Sequence, residues 1–271
     1  QIFILGVIQG ITELLPVSST AHMRVVPALL GWQDPGSAFS AAMQLAALAA
    51  VVSYFWRDVR QVTTGSISAV RRGDYNDRWF KLAVAIVLAT VPIGIAGLAL
   101  SSTLNACNSP LRGLMVIGIS CVVMAVLLAV AELRARHTRD VSQMRLRDAL
   151  IVGVAQIGAL IPGVSRSGST LTAALFLNFK REEAARFSFL LGLPAIALAG
   201  LKELWVLLRA DLPAHAWPHL IFGLVVASVS AFFAIWGLMK FLERFSTWPF
   251  VIYRALLGIF LIVAVSTGLL S

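Results

Sequence analysis

Gln9-Gly10-Ile11-Thr12-Glu13-Leu14-Leu15-Pro16-Val17-Ser18-Ser19-Thr20-Ala21-His22 interrupts an apolar stretch that runs from residue 1 to residue 31. The pieces on either side, 1–14 and 18–31, are each shorter than the ~20 residues a bilayer crossing takes. A Pro-Ser cluster, Pro16 with Ser18 and Ser19, breaks the stretch in the middle. A helix of about 12 residues rises ~18 Å, enough to reach the midplane and return. The stretch therefore reads as a re-entrant helical hairpin, whose non-helical tip is tolerable only where protein or a wet cavity satisfies its backbone groups. The pair 148–160 and 167–178, broken around Pro162-Gly163-Val164-Ser165-Arg166-Ser167-Gly168-Ser169-Thr170, reads the same way.

Composition sets the surroundings of these hairpins. Of 271 residues, 59% are hydrophobic and only 13% charged, about half the ~25% of a soluble domain. A water-soluble globule needs charge over most of its surface, so soluble enzymes, nucleic-acid binders and disordered chains are excluded. Apolar runs at 36–56, 80–100, 111–133, 187–208, 219–242 and 249–270 are long enough to span. The expected fold is an all-α integral membrane protein with six transmembrane helices plus two re-entrant helical hairpins. The chain opens into an apolar run without a basic leader or a small-residue cleavage pattern, so a signal peptide is not expected. Cys107 and Cys121 have no ligand-spaced His or Asp and read as packing residues. His215 and His219 read as loop residues, because Pro218 between them disfavours a regular helical face.

The net charge of +9 belongs mainly to connections. Arg57, Arg60, Arg71, Arg72, Arg78 and Lys81 occupy the first long one, and Arg134, Arg136, Arg139, Arg145 and Arg147 the second. Lys180, Arg181, Arg186, Lys240 and Arg244 follow at later helix ends. Under the six-span arrangement all of these lie on one side, which is cytoplasmic by the positive-inside rule. The loops around Ser101–Pro110 and Ala210–Pro218 face outward, as do both termini. The first hairpin then opens outward and the second inward.

An internal repeat accompanies this topology. Gly6-Val7-Ile8-Gln9 recurs as Gly153-Val154-Ala155-Gln156, Pro16-Val17-Ser18-Ser19 as Gly163-Val164-Ser165-Arg166, and Phe39-Ser40 as Phe187-Ser188. Three matches in order point to a single membrane domain built from two halves, 1–135 and 147–271, in inverted topology.

Ionisable groups at membrane depth are costly and usually functional. The hairpins contain four: Glu13, His22, Arg24 and Arg166. Gln9 and Glu13, four apart, project from one helical face. Ser18, Ser19 and Thr20 follow Pro16 where they can cap a returning helix, and His22 lies one turn on. The second tip offers Ser165, Ser167 and Thr170 hydroxyls, Gly168 for close backbone approach, and the Arg166 cation. Two helix N-termini directed inward at one depth form an anion trap, and the guanidinium fork suits phosphate oxygens. Glu13 with Gln9 could hold a hard divalent cation bridging the same phosphate. A carboxylate, an imidazole and hydroxyls beside an anion site are the groups phosphoryl transfer requires.

The two motifs together strongly resemble the undecaprenyl pyrophosphate phosphatase family linked to bacitracin resistance. The similarity extends to Phe187-Ser188-Phe189-Leu190-Leu191 and Pro249-Phe250-Val251-Ile252-Tyr253-Arg254, nearly the whole chain. The resemblance implies a bacterial inner-membrane enzyme that removes the terminal phosphate from a C55 polyprenyl pyrophosphate and depends on Mg or Ca; with the first hairpin open outward, the active site is expected to open toward the periplasmic face. It implies catalytic roles for Glu13, the hydroxyl of Ser19, His22 and Arg166, and an acidic motif on Gln9 and Glu13. Some family members carry Glu where this chain has Gln9, and an amide neither acts as base nor adds charge to a metal, so that burden falls on Glu13.

The expected partners are the polyprenyl pyrophosphate lipid and the bilayer, with no nucleic acid; the oligomeric state is left open. Three nucleophiles are compatible with the residue types: Ser19 with His22 as base, a water activated by His22, or His22 itself. A rival reading is a polyprenyl-phosphate flippase or anion transporter, since inverted repeats and broken helices are common to transporters. Asymmetry favours an enzyme. Gln156 matches Gln9, but the second hairpin has no acid matching Glu13 and no histidine matching His22.

Overall fold

The computed structural model describes residues 1–32, 37–100, 113–209 and 216–270. These residues form eleven α-helices: α1 (Ile2–Leu14), α2 (Ser19–Leu30), α3 (Ser37–Tyr54), α4 (Trp56–Arg72), α5 (Arg78–Ala99), α6 (Leu114–Arg134), α7 (Leu146–Ile157), α8 (Arg166–Phe176), α9 (Arg181–Arg209), α10 (Ala216–Leu242) and α11 (Trp248–Ser266). Among the described residues, five helices are long and apolar enough to cross a membrane: α5, α6, α9 over Arg181–Val206, α10 over Trp217–Leu242, and α11. The run expected at 36–56 falls on α3, of which the stretch Met43–Tyr54 counts as a shorter apolar helix. Leu98, Leu133 and Leu198 are 80%, 71% and 67% exposed. So much bare leucine on helix exteriors is what a lipid-facing surface presents, and the chain is a multi-pass membrane protein.

Both expected chain breaks are present. α1 stops at Leu14 and α2 starts at Ser19, whereas α7 stops at Ile157 and passes through a 3-10 turn, Gly158–Leu160, before α8 starts at Arg166. Each first limb lies against a long helix from outside its own pair, α1 against α10 and α7 against α5. Glycine makes these approaches possible. A Cβ on Gly10 would sit 2.4 Å from the Ala227 carbonyl oxygen, and one on Gly153 would sit 2.4 Å from that of Ala89. α6 and α11 meet similarly, with Gly258 against the Gly118 carbonyl. Phe179, Phe187, Phe189, Leu175 and Leu191 fill the buried centre behind α8.

The first basic connection is not a loop. Residues 56–72 form α4, with Val59, Val62 and Ala69 turned toward the core and Arg57, Arg60, Arg71 and Arg72 exposed. Its apolar residues recur at helical spacing among charges, which a search for long apolar runs passes over. Gly73 ends α4 in the left-handed conformation at φ +68°, and Asp77 then caps α5 by accepting from the Trp79 and Phe80 amides. His219 also departs from expectation: it lies in the first turn of α10, while His215 lies outside the described residues. Pro218 does not break that helix because first-turn amides have no intrahelical acceptor to lose. Cys107 and the Phe39-Ser40 side chains likewise lie outside the described residues, whereas Cys121 is buried packing with its thiol 3.6 Å from the Gly163 carbonyl.

Connections on the basic side are tied by ion pairs. Glu132 accepts from Arg181 Nε at 2.8 Å and from the Thr247 hydroxyl at 2.8 Å. Arg186 pairs with Asp58, Arg139 pairs with Asp148, and Glu183 accepts the Val141 amide at 3.0 Å. The helix ends are thereby held together where the chain leaves the apolar layer.

The close approach of α7 to α5 makes a direct prediction. Gly153→Ala forces a methyl into the Ala89 backbone, and overpacking of this kind costs about 1–3 kcal/mol. Gly94→Ala, where a Cβ meets nothing within 4 Å, is the control. In detergent, thermal unfolding should begin several degrees lower for Gly153→Ala and be unchanged or raised for Gly94→Ala; equal midpoints would mean that the helices do not touch there.

Candidate active site

The two chain breaks meet. At the first, Leu15 leaves α1 in an extended conformation, Val17 N–H donates to the Leu15 carbonyl at 2.8 Å, and Ser18 precedes α2 at φ +73°. At the second, Gly163 takes φ +96° and Ser165 precedes α8 at φ +70°. Both N-cap serines therefore hold a left-handed backbone that side chains normally avoid at a cost of order 1–3 kcal/mol. The hydroxyl pattern is matched as well, with Ser18 and Thr20 hydroxyls 3.0 Å apart and those of Ser165 and Ser167 3.1 Å apart. The breaks bond to each other reciprocally. Gly163 N–H donates to the Thr20 hydroxyl at 3.3 Å, and the Ser167 hydroxyl donates to the Leu15 carbonyl at 3.1 Å.

Between them lies a cavity of about 230 Å³ whose wall includes Glu13, Ser18, Ser19, Thr20, Ser165 and Arg166. Among the described residues Glu13 is the one carboxylate on that wall. Oε2 accepts from the Ser19 hydroxyl at 2.6 Å and from the Gln9 amide at 3.0 Å, while Oε1 faces Arg166 Nη2 at 3.7 Å. Gln9 is buried behind the acid and donates to it. Arg166 is partly buried as a whole, yet both of its terminal nitrogens are buried without a hydrogen-bond partner. Its guanidinium packs against α9 at Gly192, where a Cβ would come within 1.8 Å of Nη1. A buried fork with unused donors, beside a pocket lined by hydroxyls, has the chemistry to receive an oxyanion.

The other expected residues stand behind the wall. His22 is bonded at both ring nitrogens, Nδ1 to the Ser18 carbonyl at 2.7 Å and Nε2 to the Tyr253 hydroxyl at 2.5 Å. The acceptor on Ser19 is thus Glu13, not His22. Thr170 donates to the Arg166 carbonyl at 2.9 Å and meets Ser188, so it fixes the first turn of α8. Gly168 leaves room for Arg254, whose Nη1 would lie 2.8 Å from a Cβ there. Arg24 lies half-buried on α2. Three contributors were not foreseen: Gln44 on the cavity wall, Gly192 under Arg166, and Arg254 beneath both breaks. Gln44 leaves a sequence signal, a lone amide within the apolar stretch 41–51; Gly192 leaves none, because its role exists only opposite Arg166.

Among the described residues, no group of three or more His, Cys, Asp or Glu side chains stands at metal-binding separation. Mg²⁺, however, is commonly held by one or two carboxylates with substrate phosphates and water completing its shell. One accessible carboxylate beside an anion pocket fits that mode and no fuller protein cage.

Apolar helices surround a small polar cavity whose wall, between two broken helices, carries an acid, hydroxyls and a guanidinium, and the chain is an integral membrane protein. The chain belongs to the family described as bacitracin resistance protein BacA, matching it over residues 2–260. It is 73% identical over 263 residues to undecaprenyl-diphosphatase 2 of Mesorhizobium japonicum, covering 97% of this chain and 100% of that protein. It is 51% identical to undecaprenyl-diphosphatase of Gloeobacter violaceus and 49% identical to that of Synechococcus elongatus, covering all of this chain and 93% and 94% of those proteins.

The contact between Arg166 and Gly192 is testable without turnover. Gly192→Ala should displace the guanidinium and weaken binding of methylenediphosphonate by about tenfold, roughly 1.4 kcal/mol. Gly237→Ala, where a Cβ meets nothing, should bind normally. Ligand-induced thermal stabilisation in detergent reads both, and equal affinity would remove Gly192 as the seat of Arg166.

Proposed function

We propose that this protein is an undecaprenyl-diphosphate phosphatase of the bacterial inner membrane, releasing inorganic phosphate from the C55 polyprenyl pyrophosphate and returning the monophosphate lipid carrier to cell-wall synthesis. One observation carries the assignment: a hydroxyl hydrogen-bonded to a carboxylate at 2.6 Å, opposite a buried guanidinium with unbonded donors. The names of the relatives supply the lipid, and the family's description supplies the bacitracin phenotype.

In the mechanism, the pyrophosphate head enters the cavity and the isoprenoid tail stays in lipid. Arg166 Nη1 and Nη2 donate to non-bridging oxygens of the terminal phosphoryl group, joined by the Ser165, Ser18 and Thr20 hydroxyls at the wall. Ser19 Oγ forms a bond to the terminal phosphorus as its proton passes to Glu13 Oε2. The bond from phosphorus to the bridging oxygen breaks, and the lipid monophosphate leaves with that electron pair. Glu13 hands that proton to the departing lipid monophosphate. Water then attacks the phosphorus on Ser19, its proton passing to Glu13 and on to Ser19 Oγ as the bond from Oγ to phosphorus breaks, which frees phosphate and restores both residues. Gln9 keeps the carboxylate aimed at Ser19 throughout. Glu13 with substrate oxygens would hold a divalent ion, Mg or Ca, which when bound spreads the charge of the loose transition state.

Two inverted halves, 1–135 and 147–271, with six spans and two re-entrant hairpins, make up the proposed membrane architecture. The paired positive-φ serines, paired hydroxyl contacts and reciprocal bonds between the breaks support it. The basic connections lie in the cytoplasm under this arrangement, and the site opens to the periplasm. Leu160, 147 residues after Glu13, lines the cavity without chemistry, so the halves divide the work, one supplying acid and nucleophile and the other the cation. Such division suits hydrolysis better than a symmetric transport path.

Phosphate release from C55 pyrophosphate in mixed micelles is the decisive assay. The wild-type protein should be active, lose activity with chelator and regain it with Mg or Ca. Ser19→Ala, Glu13→Gln and Arg166→Lys should each fall by at least about 10²-fold, as removal of a group used only in the transition state does. Mass mapping after acid quench should find phosphate on Ser19. Lipid movement in proteoliposomes with no phosphate released would replace hydrolysis by transport.

A further inference from the structure

Tyr253 and Arg254 are neighbours on α11, outside the cavity, yet they reach both chain breaks. Arg254 is 1% exposed and pairs with no carboxylate among the described residues. Nη1 donates to the Pro16 carbonyl at 3.0 Å, and Nη2 to the carbonyls of Gly163 at 2.8 Å and Val164 at 2.9 Å. These three carbonyls belong to the residues just ahead of the strained serines, two residues before Ser18 and the two immediately before Ser165. Non-helical backbone inside an apolar bundle has no water to accept from, and a single planar fork satisfies acceptors from both breaks at once.

Tyr253 acts on the same element through a relay. A carbonyl oxygen only accepts, so the His22 nitrogen facing Ser18 is the one that carries hydrogen. In the neutral ring Nε2 is then an acceptor, and the Tyr253 hydroxyl donates to it. The rings lie parallel within 5°, with centroids 5.6 Å apart. Hydroxyl, imidazole and carbonyl form a line ending on the positive-φ residue that precedes Ser19. With both nitrogens engaged, the imidazole has no site left for the Ser19 proton.

We propose that Tyr253 and Arg254 are positioning residues of the phosphoryl-transfer site: Arg254 locks the two breaks together through three carbonyls, and Tyr253, through His22, holds Ser18 in the left-handed conformation that aims Ser19. The inference rests on the phosphatase reading and assigns His22 to holding rather than proton transfer.

The test is kinetic, on the full-length protein with C55 pyrophosphate. Misplacing a reacting group by about 1 Å costs up to ~10²-fold in rate, whereas ground-state binding through Arg166 is untouched. Tyr253→Phe should therefore lower kcat about fivefold or more with KM within about twofold, and Arg254→Lys should lower kcat at least about tenfold with the same KM pattern. Because Tyr253 works through His22, Tyr253→Phe in a His22→Asn background should add no more than about a twofold loss. Full kcat in Tyr253→Phe, or losses that multiply in the double variant, would overturn the relay. Full kcat in a folded Arg254→Lys would overturn the lock. If Arg254→Lys fails to fold, Tyr253→Phe and the double variant still decide the relay, and Arg254→Gln in a bilayer nanodisc, expected to show the same fall in kcat, decides the lock. An inactive wild-type protein would count against the phosphatase reading itself.

Discussion

Burying Arg166 with both terminal nitrogens unbonded carries a desolvation penalty of several kcal/mol, and an acid 3.7 Å from one nitrogen offsets only part of it. Arg166 also lines a cavity walled by hydroxyls. An anion that enters there replaces water with a fork that no longer needs to reorganise, which is why such sites discriminate the charge that develops during reaction. The rest of the bundle is arranged to make that burial sustainable. Gly192 lets the guanidinium lie against α9, Thr170 fixes the carbonyl of Arg166 itself, and Glu13 supplies the balancing charge.

Placing an arginine so deep obliges the chain to bring broken backbone with it. Helix termini leave amides and carbonyls without intrahelical partners, and in lipid each such group must find one inside the protein. At the two breaks these partners can be named. Leu15 receives the Val17 amide and the Ser167 hydroxyl, Thr20 receives the Gly163 amide, and Ser18 receives His22. Arg254 takes the carbonyls of Pro16, Gly163 and Val164. The strained serines are held because their neighbours are fixed, and strain kept in this way is a common property of reactive centres.

Much of this was readable from residue order. Pro16 and Pro162-Gly163 announce the breaks because proline and glycine act on their own backbone. The juxtaposition of Glu13 with Gln9 follows from four-residue spacing on a helix, and the pocket does contain Glu13, Ser19 and Arg166. His22 was harder. Proximity in sequence to Ser19 suggests a base, yet its ring is turned to Ser18 and Tyr253, and Tyr253 is 231 residues away. α4 was read as a connection because its apolar residues are few and spaced by turns rather than gathered in a run.

Composition, the two Pro-Ser breaks and the placement of charge were therefore enough to determine an apolar helical membrane protein with an acid and a cation at paired breaks, since these depend on local backbone limits and on transfer out of water. Which nitrogen faces which oxygen was decided by folding alone. The accommodation of Arg166 by Gly192, the engagement of His22 and the clasp of Arg254 on both breaks each join residues from distant helices, and a hydrogen bond depends on distance and direction in space, which residue order does not encode.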